Sequence, residues 1–152
     1  MYKRILIPLD GSELSEHALD PLMEVAPSPG NVHVILLEVV EPFTAIYAGG
    51  PGATTVAQKA NTQAETDAAA YLNKLASRLK RKRLSVETAV ITGSPADVIL
   101  NYVKQHEVDL IIMSTHGRSG ISRWFFGSVA EKVTRHSAVP VLISPPRGAR
   151  AI

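Results

Sequence analysis

The hydrophobic pattern of this chain alternates between short apolar runs and longer segments with helical spacing. The apolar runs are Ile5–Leu9, Val32–Val40, Val86–Ile91, Val108–Met113 and Val139–Ile143. Short runs rich in branched residues are typical of strands that are buried on both faces of a parallel sheet. Strands that alternate with helices predict an α/β fold, in which helices cover both faces of a parallel sheet.

Segments with helical spacing follow four of these runs, at residues 12–25, 55–83, 95–103 and 128–136. Ser12 and Ser94 are residue types that cap helices, and Pro95 suits the first helical position because it needs no N–H there. Pro21 lies inside the first segment, so we expect a kink or a break at that point. The segment Glu41–Gly52 is rich in Pro and Gly and predicts a loop.

Length and composition are typical of one small globular domain. The chain has 152 residues, and we assign residues 1–146 to the domain and residues 147–152 to a frayed tail. No apolar run reaches the roughly 18 residues needed to cross a membrane, and the N-terminus has no features of a secretion signal. We therefore expect no membrane partner and a cytoplasmic location. The absence of cysteine excludes disulfides and thiolate metal sites.

The charge distribution gives little support for a nucleic-acid partner. The formal net charge is only +2, although a basic cluster stands at residues 78–83. Cations at the end of a helix are favoured by its dipole. A nucleic-acid surface is the other interpretation, but the cluster lacks interleaved aromatic residues, so we expect no nucleic-acid binding.

The stretch from Ser114 to Val129 is a candidate phosphate site. It follows the fourth apolar run, contains several glycines, and ends at Gly127-Ser128 where a helical pattern begins. Glycine allows the backbone to approach an anion closely, and the free amides at a helix start carry positive partial charge. A second interpretation remains open, in which the glycines only shape a surface loop and Ser128 is only a helix cap.

This stretch resembles the universal stress protein family, whose nucleotide-binding members carry Gly-x2-Gly-x9-Gly-Ser/Thr between the fourth strand and the last helix. Gly117, the nine residues 118–126 and Gly127-Ser128 match the second and third elements of that motif. Ser114 stands where the motif has its first glycine, and it adds a side chain there. The resemblance extends over nearly the whole chain, because residues 3–12 and residues 139–143 are also similar to the first and last strands of the family.

The resemblance implies a fold, a ligand and an assembly. The fold is a Rossmann-like, five-stranded parallel sheet of order 3-2-1-4-5, and the ligand is ATP or a related adenine nucleotide such as ADP or AMP. Ligands of such sheets bind at the carboxyl ends of the strands, where the strand order reverses. In the family the last strand pairs across a dimer interface, so Val139–Ile143 is the expected contact of a homodimer.

The resemblance also assigns roles to residues in the expected crevice. The amides near Gly117, Gly127, Ser128 and Val129 would hold the phosphates. Asp10 would contact the ribose or adenine end and is a candidate Mg²⁺ ligand, or else it is only a turn carboxylate. The remaining candidates, each with a structural alternative, are Pro8 and Val39 beside the adenine, Ser114 in the motif, and His116 and Arg118 beside the phosphates.

Catalytic signals are weak. The chain lacks Gly-x4-Gly-Lys-Ser/Thr and a Gly-x-Ser-x-Gly nucleophile motif, and Asp10 alone is a thin basis for phosphoryl transfer. Three hypotheses remain. The first is a nucleotide-responsive regulatory module of a stress response, the second is an interaction protein that keeps the fold without the ligand, and the third is a slow ATPase.

Overall fold

The computed structural model describes residues 2–26, 29–44, 49–115 and 127–145. The five strands are β1 (Arg4–Leu9), β2 (His33–Val40), β3 (Ser85–Thr92), β4 (Leu110–Ser114) and β5 (Val141–Ser144). The α-helices in the described ranges are α1 (Glu13–Glu16), α2 (Leu22–Val25), α3 (Ala53–Lys80), α4 (Pro95–Gln105) and α5 (Ser128–His136). Single 3-10 turns lie at His17–Leu19 and Pro29–Asn31.

The strands form one parallel sheet in the order β3-β2-β1-β4-β5, which confirms the predicted order. Ile7 of β1 pairs with Leu36 of β2, and Ile5 on the same strand pairs with Leu110 of β4. The chain builds outward from β1 through β2 to β3 and then returns to the other side of β1. The strand order therefore reverses between β1 and β4, and a crevice is expected at their carboxyl ends.

Each face of the sheet buries its own hydrophobic cluster. On one face, Ile5 and Ile7 pack with Leu72 and Leu75 of α3 and with Leu22 of α2. Burial of so many fully enclosed aliphatic side chains is the main favourable contribution to folding. On the opposite face the cluster is built from strand, α4 and α5 residues, among them Leu6, Ile35, Ile99, Ile111 and Val133. The predicted helices on both faces are thus confirmed.

The first helical segment is interrupted at Asp20-Pro21. Ser12 caps α1, and its hydroxyl accepts a hydrogen bond from the Ser15 N–H at 3.1 Å. The helical turns end at Asp20, and Pro21 then occupies the cap position of α2 with φ −78°. Proline removes a backbone donor and crowds the preceding turn, which explains why one predicted segment becomes two short helices.

Several element boundaries differ slightly from the predicted ones. Helix α3 begins at Ala53 and ends at Lys80, so Arg83 lies beyond it with a left-handed φ of +65°. Strand β5 begins at Val141 rather than Val139. Pro140 precedes it and accepts from the Ile111 N–H at 3.0 Å, but it has no N–H to donate to the ladder. Ser94 precedes α4 as predicted but makes no capping hydrogen bond to the backbone.

Two further predictions concern the membrane and the tail. In the described ranges, every helix is too short or too polar to cross a lipid bilayer. The predicted tail at residues 147–152 lies outside the described residues, and the domain limit at residue 146 stays a prediction.

Candidate functional site

A cavity of about 860 Å³ opens at the carboxyl ends of the strands. Its walls come from the ends of β1, β2 and β4, from the first turn of α5, and from the face of α3 that carries Ala64, Asp67, Ala68 and Tyr71. Residues of both core clusters reach this edge, so the cavity spans the sheet at the point where the strand order reverses. Its size is within the range of small-molecule and cofactor sites.

The structure brings seven of the ten sequence-predicted site residues to this cavity. They are Pro8, Asp10, Val39, Ser114, Gly127, Ser128 and Val129. The other three, His116, Gly117 and Arg118, lie outside the described residues. Residues that are far apart in sequence therefore line the same cavity. What each of them binds stays a prediction.

The first turn of α5 forms part of the cavity wall. Gly127 is the cap residue and Ser128 the first helical residue, so the alternative interpretation of Ser128 as the cap was wrong by one position. The Gly127 N–H is already used, because it donates to the Thr115 carbonyl at 2.9 Å. The amides of Ser128, Val129 and Ala130 come next, and α-helix geometry gives them no partner within the helix.

The glycine at position 127 is not required by its own backbone. Its φ of −55° and ψ of 145° are accessible to any residue. A Cβ built on Gly127 would meet the Thr115 carbonyl oxygen at 3.4 Å, which is ordinary contact. Among the described residues, neither conformation nor packing requires glycine at this position, although glycine is a favourable cap residue.

Asp10 has a structural role at the end of β1. One of its carboxylate oxygens, Oδ1, accepts hydrogen bonds from the Ser12 N–H at 2.9 Å and from the Ser12 hydroxyl at 2.5 Å. The Asp10 N–H in turn donates to the Ser15 hydroxyl at 3.4 Å. This is the turn role that we considered as an alternative. Asp10 is also half-buried and lines the cavity, so the turn leaves its side chain at the site.

Ser114 ends β4 and pairs with Ser144 of β5. It is only 9% exposed and lines the cavity, so its hydroxyl occupies space where a glycine would have none. Pro8 and Val39 close the same region from β1 and β2. Val39 packs in part against the α4 and α5 cluster.

The wall formed by α3 and by Glu38 was missed in the sequence. Glu38 on β2 is buried, at 8% exposure, and lines the cavity with Asp67 and Tyr71. Burial, followed by the negative charge of Glu16, raises the pKa of Tyr71, so the phenol stays protonated and donates to Glu16 at 3.2 Å. A single carboxylate inside the apolar run Val32–Val40 was the signal that could have identified Glu38.

The described residues contain no group of three or more His, Cys, Asp or Glu side chains that could hold a metal ion. Mg²⁺ commonly binds through one or two carboxylates together with substrate phosphates and water. Asp10 is one carboxylate of the cavity wall, and its role as a Mg²⁺ ligand stays a prediction.

Comparisons with known proteins all indicate the same family. The model of the universal stress protein family matches residues 1–145. Universal stress protein MJ0531 of Methanocaldococcus jannaschii is 29% identical over 144 residues, which cover 94% of this chain and 82% of that protein.

Solved structures share the fold. Hypothetical protein MJ0577 of the same organism superposes with a TM-score of 0.85 at 26% identity, covering 98% of this chain and 99% of the other. An Arabidopsis thaliana universal stress protein family protein, solved with AMP bound, superposes with a TM-score of 0.65 at 17% identity and covers 94% of this chain and 91% of its own. From the family match over most of its length, the chain belongs to the universal stress protein family.

Proposed function

We propose that this chain binds an adenine nucleotide, ATP or its relatives ADP and AMP, in the cavity between β1 and β4. The observation that carries the proposal is the convergence of Asp10, Val39 and the first turn of α5 on one cavity at the strand-order reversal. The AMP bound to the Arabidopsis family member, whose fold this chain shares, supports the class of ligand.

The phosphates would lie at the start of α5. The amides of Ser128, Val129 and Ala130 supply donors with positive partial charge, and the Ser128 side chain is exposed and adds a hydroxyl. Gly127 would contribute by leaving space, since its own N–H is bonded to Thr115. Gly117 of the family motif would complete the phosphate side, and His116 and Arg118 would add side chains from the same loop.

The adenosine end would lie between β1 and β2. Pro8 and Val39 offer apolar surface and backbone groups to the base, and Asp10 offers a carboxylate to the ribose. Ser114, on the strand that neighbours β1, would lie between the two ends of the ligand. With Mg²⁺, Asp10 would hold the ion through its carboxylate while phosphate oxygens supply the other ligands. The ion would reduce the repulsion between the phosphates and the acidic wall.

The function proposed from this site is a nucleotide-responsive regulatory module of a cytoplasmic stress response. Binding rather than turnover is proposed, because the chain lacks the Gly-x4-Gly-Lys-Ser/Thr motif, whose lysine serves phosphoryl transfer in P-loop enzymes. Release or exchange of nucleotide would then change what the protein contacts.

We further propose a homodimer formed through Val139–Ile143. Strand β5 is an edge of the sheet, and Val139, Val141 and Ile143 pack only in part against the core. An apolar edge strand is a liability unless something pairs with it or covers it. Light scattering at micromolar concentration should give the mass of two 16.4 kDa chains, and a single-chain mass would contradict the dimer.

Calorimetric titration with ATP, in the presence and absence of Mg²⁺, tests the proposed function. The purified protein is first denatured and any released nucleotide is identified, so that an occupied site is not mistaken for an absent one. Micromolar or tighter binding, or nucleotide released on denaturation, would support the proposal. No heat and no released nucleotide would instead favour an interaction protein that keeps the fold without the ligand.

A further inference from the structure

The side-chain amide of Asn61, on α3, holds the chain that leaves β2. The Phe43 N–H donates to Asn61 Oδ1 at 2.7 Å, and Asn61 Nδ2 donates to the Phe43 carbonyl at 3.3 Å. One side chain thus satisfies both backbone groups of Phe43, as a neighbouring strand would do in a sheet. The paired contact fixes both the position and the direction of the chain at Phe43.

Two further hydrogen bonds close a ring around this contact. The Gly93 N–H donates to the Val40 carbonyl at 3.0 Å, which ties the ends of β2 and β3 together. The Thr92 hydroxyl donates to Glu65 Oε1 at 2.6 Å, which ties the end of β3 to α3. Glu65 is one helical turn after Asn61, so both anchors lie on the same side of α3.

The ring borders the cavity. On the β2 side the cavity is lined by Val39, Val40 and Glu41, and Glu41 is two positions before Phe43. On the α3 side, Ala64 is the first lining residue, three positions after Asn61. The Asn61 contact therefore lies where the two walls meet at this end of the cavity.

We propose that Asn61 is a positioning residue for the nucleotide site, and that its double hydrogen bond to Phe43 holds the Val39–Glu41 wall in its binding geometry. The inference rests on the proposed function, since it concerns the same cavity. Asn61 itself contacts no nucleotide in this account. It acts through the backbone that would face the adenine.

Removal of the amide should weaken nucleotide binding without harming the fold. Asn61→Ala removes both hydrogen bonds, and alanine is the better helix former, so α3 should remain intact. Loss of the ordered wall should make ATP binding about three- to tenfold weaker, because ATP would then have to order this wall as it binds. Asn61→Asp keeps the acceptor of the 2.7 Å bond and loses the donor of the 3.3 Å bond. Its affinity for ATP should therefore lie between those of wild type and Asn61→Ala.

The experiment combines calorimetric titration with ATP and hydrogen–deuterium exchange of residues 39–44, for wild type, Asn61→Ala and Asn61→Asp. Gln58→Ala is the matched control, because Gln58 is exposed one turn earlier on the same helix and lies away from the nucleotide cavity. In wild type, ATP should slow exchange at residues 39–44, since coupling between ligand and wall is reciprocal. In Asn61→Ala, exchange there should be faster without ATP, and binding should be weaker, while Gln58→Ala should match wild type.

Two results would overturn the inference alone. One is an Asn61→Ala variant that binds ATP as tightly as wild type does although exchange at residues 39–44 has increased. The other is unchanged exchange at those residues, which would mean that the contact does not hold the wall. If wild type itself binds no adenine nucleotide, the proposed function fails and the inference falls with it, so the two failures are distinguishable.

Discussion

Replacement of Gly127 by a residue with a side chain is the sharpest test of the phosphate site. Gly127 caps α5 in a backbone conformation open to any residue, and a Cβ there meets the Thr115 carbonyl oxygen at 3.4 Å. Gly127→Ala therefore adds one methyl group at the mouth of the amide site, and Gly127→Val adds a branched side chain. Both variants should retain the sheet and the helix.

The expected cost in stability is small. A less flexible unfolded chain favours the variants by about 0.4–1 kcal/mol, while alanine or valine is a poorer helix cap than glycine, which opposes this gain by about the same amount. The free energy of unfolding should thus change by no more than about 1 kcal/mol. Urea denaturation of the variants and of wild type measures this change.

The expected cost in binding is larger. A hydrogen bond to a charged group contributes about 1.5–3 kcal/mol, so displacement of a phosphate from one α5 amide should weaken ATP binding about 10- to 150-fold. Gly127→Val should reach the upper part of this range and Gly127→Ala the lower part.

Gly30→Val is the control for the Gly127 variants. A Cβ on Gly30 meets no atom within 4 Å, and Gly30 lies in the 3-10 turn before β2, away from the cavity. It should leave ATP affinity unchanged. If Gly127→Val bound ATP as wild type does, with the fold intact, the phosphates would not lie at the start of α5.

Three further substitutions separate the roles of other residues. Asp10→Asn keeps an acceptor for the Ser12 N–H and removes the charge, so it should retain wild-type stability and weaken Mg²⁺-dependent ATP binding. Asp10→Ala should weaken binding and also lower the free energy of unfolding by about 1 kcal/mol. Equal ATP affinity of Asp10→Asn and wild type would leave Asp10 only its turn role. Ser114→Gly removes the hydroxyl at the cavity wall and should strengthen ATP binding, as measured by calorimetry. Glycine in a strand should lower the free energy of unfolding by about 0.5–1 kcal/mol. Weaker ATP binding would mean that the hydroxyl contributes to the site. The hydrogen bond and charge of Lys132, whose Nζ lies 2.8 Å from Asp97 Oδ1, lower the pKa of Asp97. The stability from this pair is therefore present above the ordinary carboxyl pKa of 3.8 and is lost as the pH falls through the lowered folded-state pKa. In Lys132→Met an NMR titration should find the Asp97 pKa higher than in wild type, and an unchanged pKa would contradict the pairing.

The strands were predictable because short runs of apolar residues indicate their burial directly in the sequence. Ile35, Leu36 and Leu37 are fully buried. A short run of such residues is typical of a strand that is covered on both faces of a parallel sheet. Boundaries were less certain, because they depend on individual hydrogen bonds. The start of β5, for example, follows Pro140, which has no N–H to donate to the ladder.

The site was predictable only in part, for a related reason. Asp10 and Gly127 lie at strand and helix ends, where sequence pattern and topology both indicate a function. Ala64 and Tyr71 lie inside a long helix, in which small and aromatic residues are ordinary core residues, and only the packing of α3 against β2 brings them to the cavity.

The hydrogen bonds between Asn61 and Phe43 join residues 18 positions apart. No periodicity within α3 or β2 encodes such a pair, since it exists only once the two elements are docked. The same holds for the bond between Thr92 and Glu65, which are 27 positions apart. Contacts of this kind determine the shape of the cavity mouth, and only a three-dimensional structure identifies them.

The most direct test of the central claim is an amide NMR titration of the isotopically labelled chain with ATP. The amides of Ser128, Val129 and Ala130 should shift most strongly on the phosphate side, together with those of Asp10 and Val39 on the adenosine side. The same titration with adenosine should shift the second group and leave the first nearly unchanged. If ATP shifts neither group, or shifts only amides away from the cavity, the nucleotide site is not where this account places it.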